Sequence, residues 1–203
     1  MRSESEAPSV EVFVPGTWRA LDLDPATRAA SIQRLAEESG QGANGELVEA
    51  RRRLRARLEQ VAEEAAGAGA SFGFVFFTVA DGKLVSASLI VAVIEATGGV
   101  GDGAPAPPPK AIAEGLRSRL GGEVDELAAG PAVRVRRRQA VARTVSDHIG
   151  LEHTGAVEIV QWYVPHESGR RLAVLTFSTP NVDLAEQFGE LFDAIAGTMR
   201  WTA

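Results

Sequence analysis

The stretch SFGFVFFTVADGKLVSASLIVAVIEA, residues 71–96, constrains this chain more than any other. Asp81-Gly82 is a two-residue hairpin signal, because the favoured hairpin turns need positive φ at their central positions and Asp-Gly supplies it at little cost. The runs on either side, Ser71–Ala80 and Leu84–Ala96, are apolar on alternate and intervening positions alike. A strand with one wet face would alternate, so these two predict antiparallel central strands with a layer over each face.

The rest of the chain supplies the layers. Val10–Val14 reads as a short strand, and Pro15-Gly16 turns the chain toward Trp18. Asp24-Pro25 reads as an N-cap followed by proline at the first helical position, opening a helix that stops at Gly40. A longer helix over Gly45–Ala66 places Leu47, Leu54, Leu58, Val61 and Ala65 on one stripe. A third carries Ile112, Leu116 and Leu120 and ends at Gly121-Gly122. A strand over Val133–Val141 follows, then a second hairpin with arms Ala156–Pro165 and Arg171–Thr179. A last helix spaces Leu184, Phe188, Leu191, Phe192, Ile195 and Met199 along one side. The expected fold is α+β: an antiparallel sheet of about five or six strands flanked by helices on both faces. Residues 10–203 form one domain in this reading, behind a disordered tail over 1–9 and with a flexible Gly/Pro-rich loop over 97–109.

Several function classes drop out on composition. The 203 residues contain no cysteine, which removes disulfides, zinc ribbons, iron–sulfur clusters and thiol nucleophiles. A net charge of −6 argues against nucleic acid as a partner, since duplex binding draws on neutralised phosphates. No window approaches the roughly 20 apolar residues of a membrane helix. The start, MRSESEAPSV, lacks the pattern of a secretory signal, so a cytoplasmic setting away from membranes is expected.

The residues that carry chemistry are few. In LTFSTPNVD, Ser178 lacks the small neighbours that a nucleophile elbow requires, and Pro180 holds Thr179 extended. It reads as punctuation before a helix capped by Asn181 or Asp183, with Glu186 placed as in a capping box. DHIGLEH, residues 147–153, offers His148 and His153 with two carboxylates, but at no metal-ligand spacing, and His166 sits exposed by a hairpin turn. GGVGDG, residues 98–103, lacks the phosphate-loop pattern. No catalytic set, metal or cofactor is expected. In RRRLRAR, residues 51–57, the charges point around a solvated helix, with Glu49–Arg53 and Arg55–Glu59 as i, i+4 pairs. RVRRR differs: on a strand, Arg134, Arg136 and Arg138 share one face, a row suited to carboxylates or phosphates. The plainer reading of that row is an edge strand blunted by charge, or arginines paired with nearby acids.

The segments WYVPHESGRRLAVLTFSTPN and ELFDAIAGTMRW, with VFVPGTW near the start, carry a resemblance over most of residues 10–203. They are similar to a group of proteins from high-GC, actinobacterial-type bacteria that resembles the PsbP-like α/β/α sandwich. That resemblance implies an antiparallel sheet between helical layers. It also implies a binder, since relatives of that fold include photosystem extrinsic subunits, a nuclear-import factor that binds a small GTPase, lipoproteins and secretion adaptors. The lipoprotein branch does not fit a chain without a lipobox cysteine, and no functional residue carries over.

Two functional expectations follow. The first is a non-enzymatic, cytoplasmic protein-binding or adaptor domain, a monomer or weak homodimer, that meets a protein partner through Arg134, Arg136 and Arg138. The second is a small-ligand binder or enzyme with a pocket between sheet and helices near Trp162 and Tyr163.

Overall fold

The computed structural model describes residues 8–38, 45–80, 83–96, 105–140 and 155–202, apart from the side chains of residues 45–47, 49, 50 and 53. The expected calls on the Asp81-Gly82 turn, the glycine run over 98–103 and the histidines at 148 and 153 lie outside the described residues.

In chain order the elements are β1 (Ser9–Glu11), β2 (Arg19–Leu21), α1 (Arg28–Glu38), α2 (Gly45–Gly67), β3 (Phe72–Ala80) and β4 (Lys83–Glu95). Then come α3 (Pro109–Leu120), β5 (Glu123–Leu127), β6 (Gly130–Ala140), β7 (Ala156–Pro165) and β8 (Arg171–Thr179). A short 3-10 turn, Val182–Leu184, leads into α4 (Ala185–Ala196), and β9 (Arg200–Thr202) ends the described chain. Seven strands form one antiparallel sheet in the order β2-β3-β4-β8-β7-β6-β5, and β1 and β9 pair separately. The architecture is thus the expected α+β sandwich, with a sheet wider than foreseen.

Register explains the width of the core. Ala80 opposes Lys83, so β3 and β4 form the hairpin read from the sequence. Along β4, Ala87, Leu89 and Val91 point to one face and Ser86, Ser88 and Ile90 to the other, as the two-residue repeat of a strand requires. On the first face these meet Val160, Trp162, Leu175 and Phe177 of β7 and β8, and α4 lays Phe188, Phe192 and Ile195 over them. The Phe177 and Phe192 rings stack with centroids 4.8 Å apart. The second face is covered in two places. Ile32 and Leu35 of α1 and Leu54, Leu58 and Val61 of α2 close over Leu21 and Val75, while Ala113 of α3 meets Val133 and Val135 of β6.

Three strands escaped the sequence pattern, for identifiable reasons. β5 is EVDEL, a charged edge strand, and charge is how natural sheets blunt an edge. β2 and β9 hold three residues each, too few to show a period. Val10 pairs with Trp201 and so belongs to the small β1–β9 ribbon instead of the main sheet. β3 is next to the edge rather than central, because β2 covers only Gly73–Val75. Gly122, with φ at +98°, must be glycine for a second reason: a Cβ there would lie 2.2 Å from the Arg134 carbonyl oxygen.

The caps differ as well. Asp24 Oδ1 accepts from the Ala26 amide at 2.9 Å, but residues 25–27 form a turn and α1 opens only at Arg28, so Pro25 is not its first residue. Neither Asn181 nor Asp183 caps α4 through its side chain. Asn181 instead accepts from the Ser86 amide at 2.9 Å and donates to the Leu84 carbonyl at 3.0 Å, which ties the start of α4 to β4. Competition from a neighbouring strand's backbone outweighed the local cap.

Candidate functional site

Two groups of arginines lie on opposite faces of the sheet. On the α4 face, Arg134, Arg136 and Arg138 stand side by side, as their alternate positions on β6 require. Each meets a carboxylate of the same chain. Arg134 Nε donates to Asp193 Oδ1 at 2.8 Å, and Arg138 Nε donates to Glu158 Oε2 at 3.1 Å. Arg136 makes the densest set, donating to Glu158 Oε1 through Nε and to both oxygens of Glu186 at 2.7 and 3.2 Å. Glu186 and Asp193 are seven residues apart, two turns of α4, so one helix face supplies both acids. The row therefore clamps α4 to β6 and β7.

The electrostatics follow from this geometry. Hydrogen bonds donated to Glu186 and then to Glu158 hold the Arg136 guanidinium charged above its ordinary range, and the bond from Arg136 holds the Glu186 carboxyl below its own. Glu158 is 3% exposed, and both its oxygens are used. Sequence reasoning passed over Glu158. Its signal was a lone carboxylate in the otherwise apolar AVEIVQWYVP, directly across from Arg138 in register.

Among the described residues, the end of β6 is open on its outer side. β5 pairs with Gly130–Arg134 and ends there, so no described strand pairs with the outer side of residues 135–140. Residues 137–140 are exposed, and the Arg138 side chain is 57% exposed despite its ion pair. Arg137 points to the opposite face and donates to Gln161 Oε1 at 2.5 Å.

On the other face a second site forms around Arg57 of α2, Ser86 and Ser88 of β4 and Ser178 of β8. Arg57 belongs to the RRRLRAR segment read as solvated, yet it is 8% exposed. Its Nη2 donates to Ser178 Oγ at 3.2 Å, and Ser178 and Ser88, directly opposed in register, share a hydrogen bond of 2.7 Å. Burial pulls the Arg57 pKa below its usual value, and Glu64 opposes this only from a distance. No carboxylate among the described residues forms an ion pair with Arg57. Leu54 and Leu58 of α2, Val75 of β3 and Pro180 close a pocket around these groups, with room for about one water molecule. The other expected pair, Arg55–Glu59, is present at 2.9 Å on the outer face of the same helix.

The remaining sequence candidates are dispersed. Trp162 and Tyr163 are neighbours on β7 and therefore point to opposite faces. Trp162 is buried beneath α4, whereas Tyr163 lies beside Val133 and α3 and donates to Gln161 Oε1 at 3.1 Å. They do not share a pocket. His166 is half-buried instead of exposed, edge-on to Trp201 with ring centroids 4.8 Å apart. Among the described residues no group of three metal-ligating side chains comes together, and no helix is long and apolar enough to cross a membrane.

No family model matches the chain, and no curated protein does. Among solved structures, LpqN, involved in cell envelope biogenesis of Mycobacterium tuberculosis, aligns over 100% of this chain and 88% of its own. The TM-score is 0.48 and the identity 12%, too low for a functional argument. None of these comparisons shows the PsbP-like resemblance read from the sequence motifs.

Proposed function

We propose that the protein is a non-enzymatic, cytoplasmic binding domain that docks a protein partner along the open edge of β6. The observation that supports this reading is the outer side of residues 135–140, whose backbone no described strand pairs, flanked by the exposed Arg137 and Arg138. An extended segment can add to such an edge through main-chain hydrogen bonds, with side chains setting specificity. Guanidinium groups on both faces of the edge select an acidic segment. The three arginines of the row then divide their work: Arg134 and Arg136 hold α4, and Arg138, with Arg137, meets the partner.

The test is a fluorescence-anisotropy titration with a labelled peptide of alternating Glu and Val, and a Lys/Val peptide as control. The acidic peptide should bind, should slow amide exchange over residues 136–140, and should weaken by about tenfold in the Arg137→Ala/Arg138→Ala double variant, the effect of one lost charge-assisted contact. Equal binding of both peptides, or no protection of those amides, would overturn the proposal. A dimer in light scattering that protects the same amides would assign the edge to a second copy of the chain instead.

A further inference from the structure

We infer that the pocket beneath α2 is a binding site for one small monovalent anion of about the size of chloride, held by the Arg57 guanidinium and the Ser88 hydroxyl. The observation behind this is a buried cation whose only described hydrogen bond goes to a neutral hydroxyl. A guanidinium carries five N–H donors and no acceptor, and the one described bond, to Ser178 Oγ, leaves the others for a ligand or solvent at the pocket that Arg57 lines. Taking an isolated charge out of water is costly unless it is paired, and no carboxylate among the described residues pairs with this one.

The hydroxyls point to the sign of the ligand. Ser178 Oγ accepts from the cation; its 2.7 Å hydrogen bond with Ser88 Oγ can run either way, and polarisation by the cation favours Ser178 as the donor. In that direction the Ser88 O–H is left as a donor. Both ends of the chain Arg57, Ser178, Ser88 therefore present hydrogen, and Ser86 adds a third hydroxyl to the wall. That arrangement suits an acceptor. Room for about one water molecule excludes phosphate and sulfate and admits a halide, and one negative charge balances the one positive charge. The apolar walls of Leu54, Leu58 and Val75 strengthen the attraction by lowering the local polarity. This site is on the face opposite the row on β6 and is independent of the partner-binding proposal.

The experiment is thermal unfolding of the full chain in sodium gluconate, titrated with sodium bromide or chloride at constant ionic strength. At tenfold excess over the dissociation constant the Tm should rise by about 3–6 °C, by mass action on the folded state. Arg57→Met should abolish the rise, and crystals grown in bromide should show an anomalous peak in contact with the Arg57 guanidinium. Sodium phosphate should not compete. An identical halide response in Arg57→Met, or bromide found only elsewhere, would overturn the inference. So would phosphate displacing bromide, because the size argument would then fail. Should Arg57→Met not fold, Ser88→Ala provides the same comparison with the cation retained, and an unchanged response there would count against the site.

Discussion

The arginine row on β6 and the single Arg57 on α2 solve the same problem in opposite ways. Both place guanidinium groups against a face of the same sheet. On the α4 face, Arg134, Arg136 and Arg138 have three acids of their own chain and retain contact with solvent. On the other face, Arg57 is buried deeper and has only serines. The row that stood out as a charge pattern is largely neutralised from within, whereas the arginine lost in a run of arginines is buried with no carboxylate among the described residues paired to it. A charge's availability is set by what the fold brings to it and not by its density in sequence.

The sharpest way to break this comparison is at Glu158. Its carboxylate is buried and shared by Arg136 and Arg138, so Glu158→Ala leaves two guanidinium groups without their common acceptor. Removing one partner of a fully buried pair costs 3–5 kcal/mol, and the partial exposure of these arginines reduces that to about 2–3 kcal/mol. Urea denaturation would measure it. A loss below about 1 kcal/mol would mean that the clamp on α4 contributes little, as exposed pairs do.

Arg57→Met should behave quite differently. The variant loses the hydrogen bond to Ser178, at a cost of about 1 kcal/mol, but also removes the burden of an unpaired buried charge. In halide-free gluconate its stability should stay within about 1 kcal/mol of the parent in either direction. A loss as large as that of Glu158→Ala would erase the distinction between the two regions.

The smallest effect belongs to acid titration of the row. The Arg136 hydrogen bond lowers the Glu186 pKa from the ordinary value of 4.5, so the folded protein binds this proton more weakly than the unfolded chain. The resulting stability is complete above about pH 4.5 and is lost as the pH falls through the lower folded value. Melting curves from pH 6 to 2.5 should therefore fall slightly less steeply for Glu186→Gln than for the parent. Parallel curves would show that this fully exposed acid adds nothing that the solvent does not screen.

Much of the fold was legible because hydrophobic period and turn chemistry act locally. The pairing of β3 with β4, the 3.6-residue stripe of α2 and the apolar face of α4 each follow from neighbours within a few positions. The shared face of Arg134, Arg136 and Arg138 was legible for the same reason, since alternation along a strand needs no partner. β5 was hidden because a charged edge strand has no apolar period to show.

The sites depended on pairings far apart in the chain. Ser178 stands beside Ser88, 90 positions away, and Arg57 reaches it across 121. Asn181 looked like a cap and serves as a tie to β4 for the same reason. The sequence by itself determined the helices and the long strands of the sheet, and which side chains share a face, because those depend on backbone periodicity. Only the tertiary structure decided which arginines meet carboxylates and which one is buried without any, because strand order and helix placement set the distances between charges, and neither is written in any local pattern.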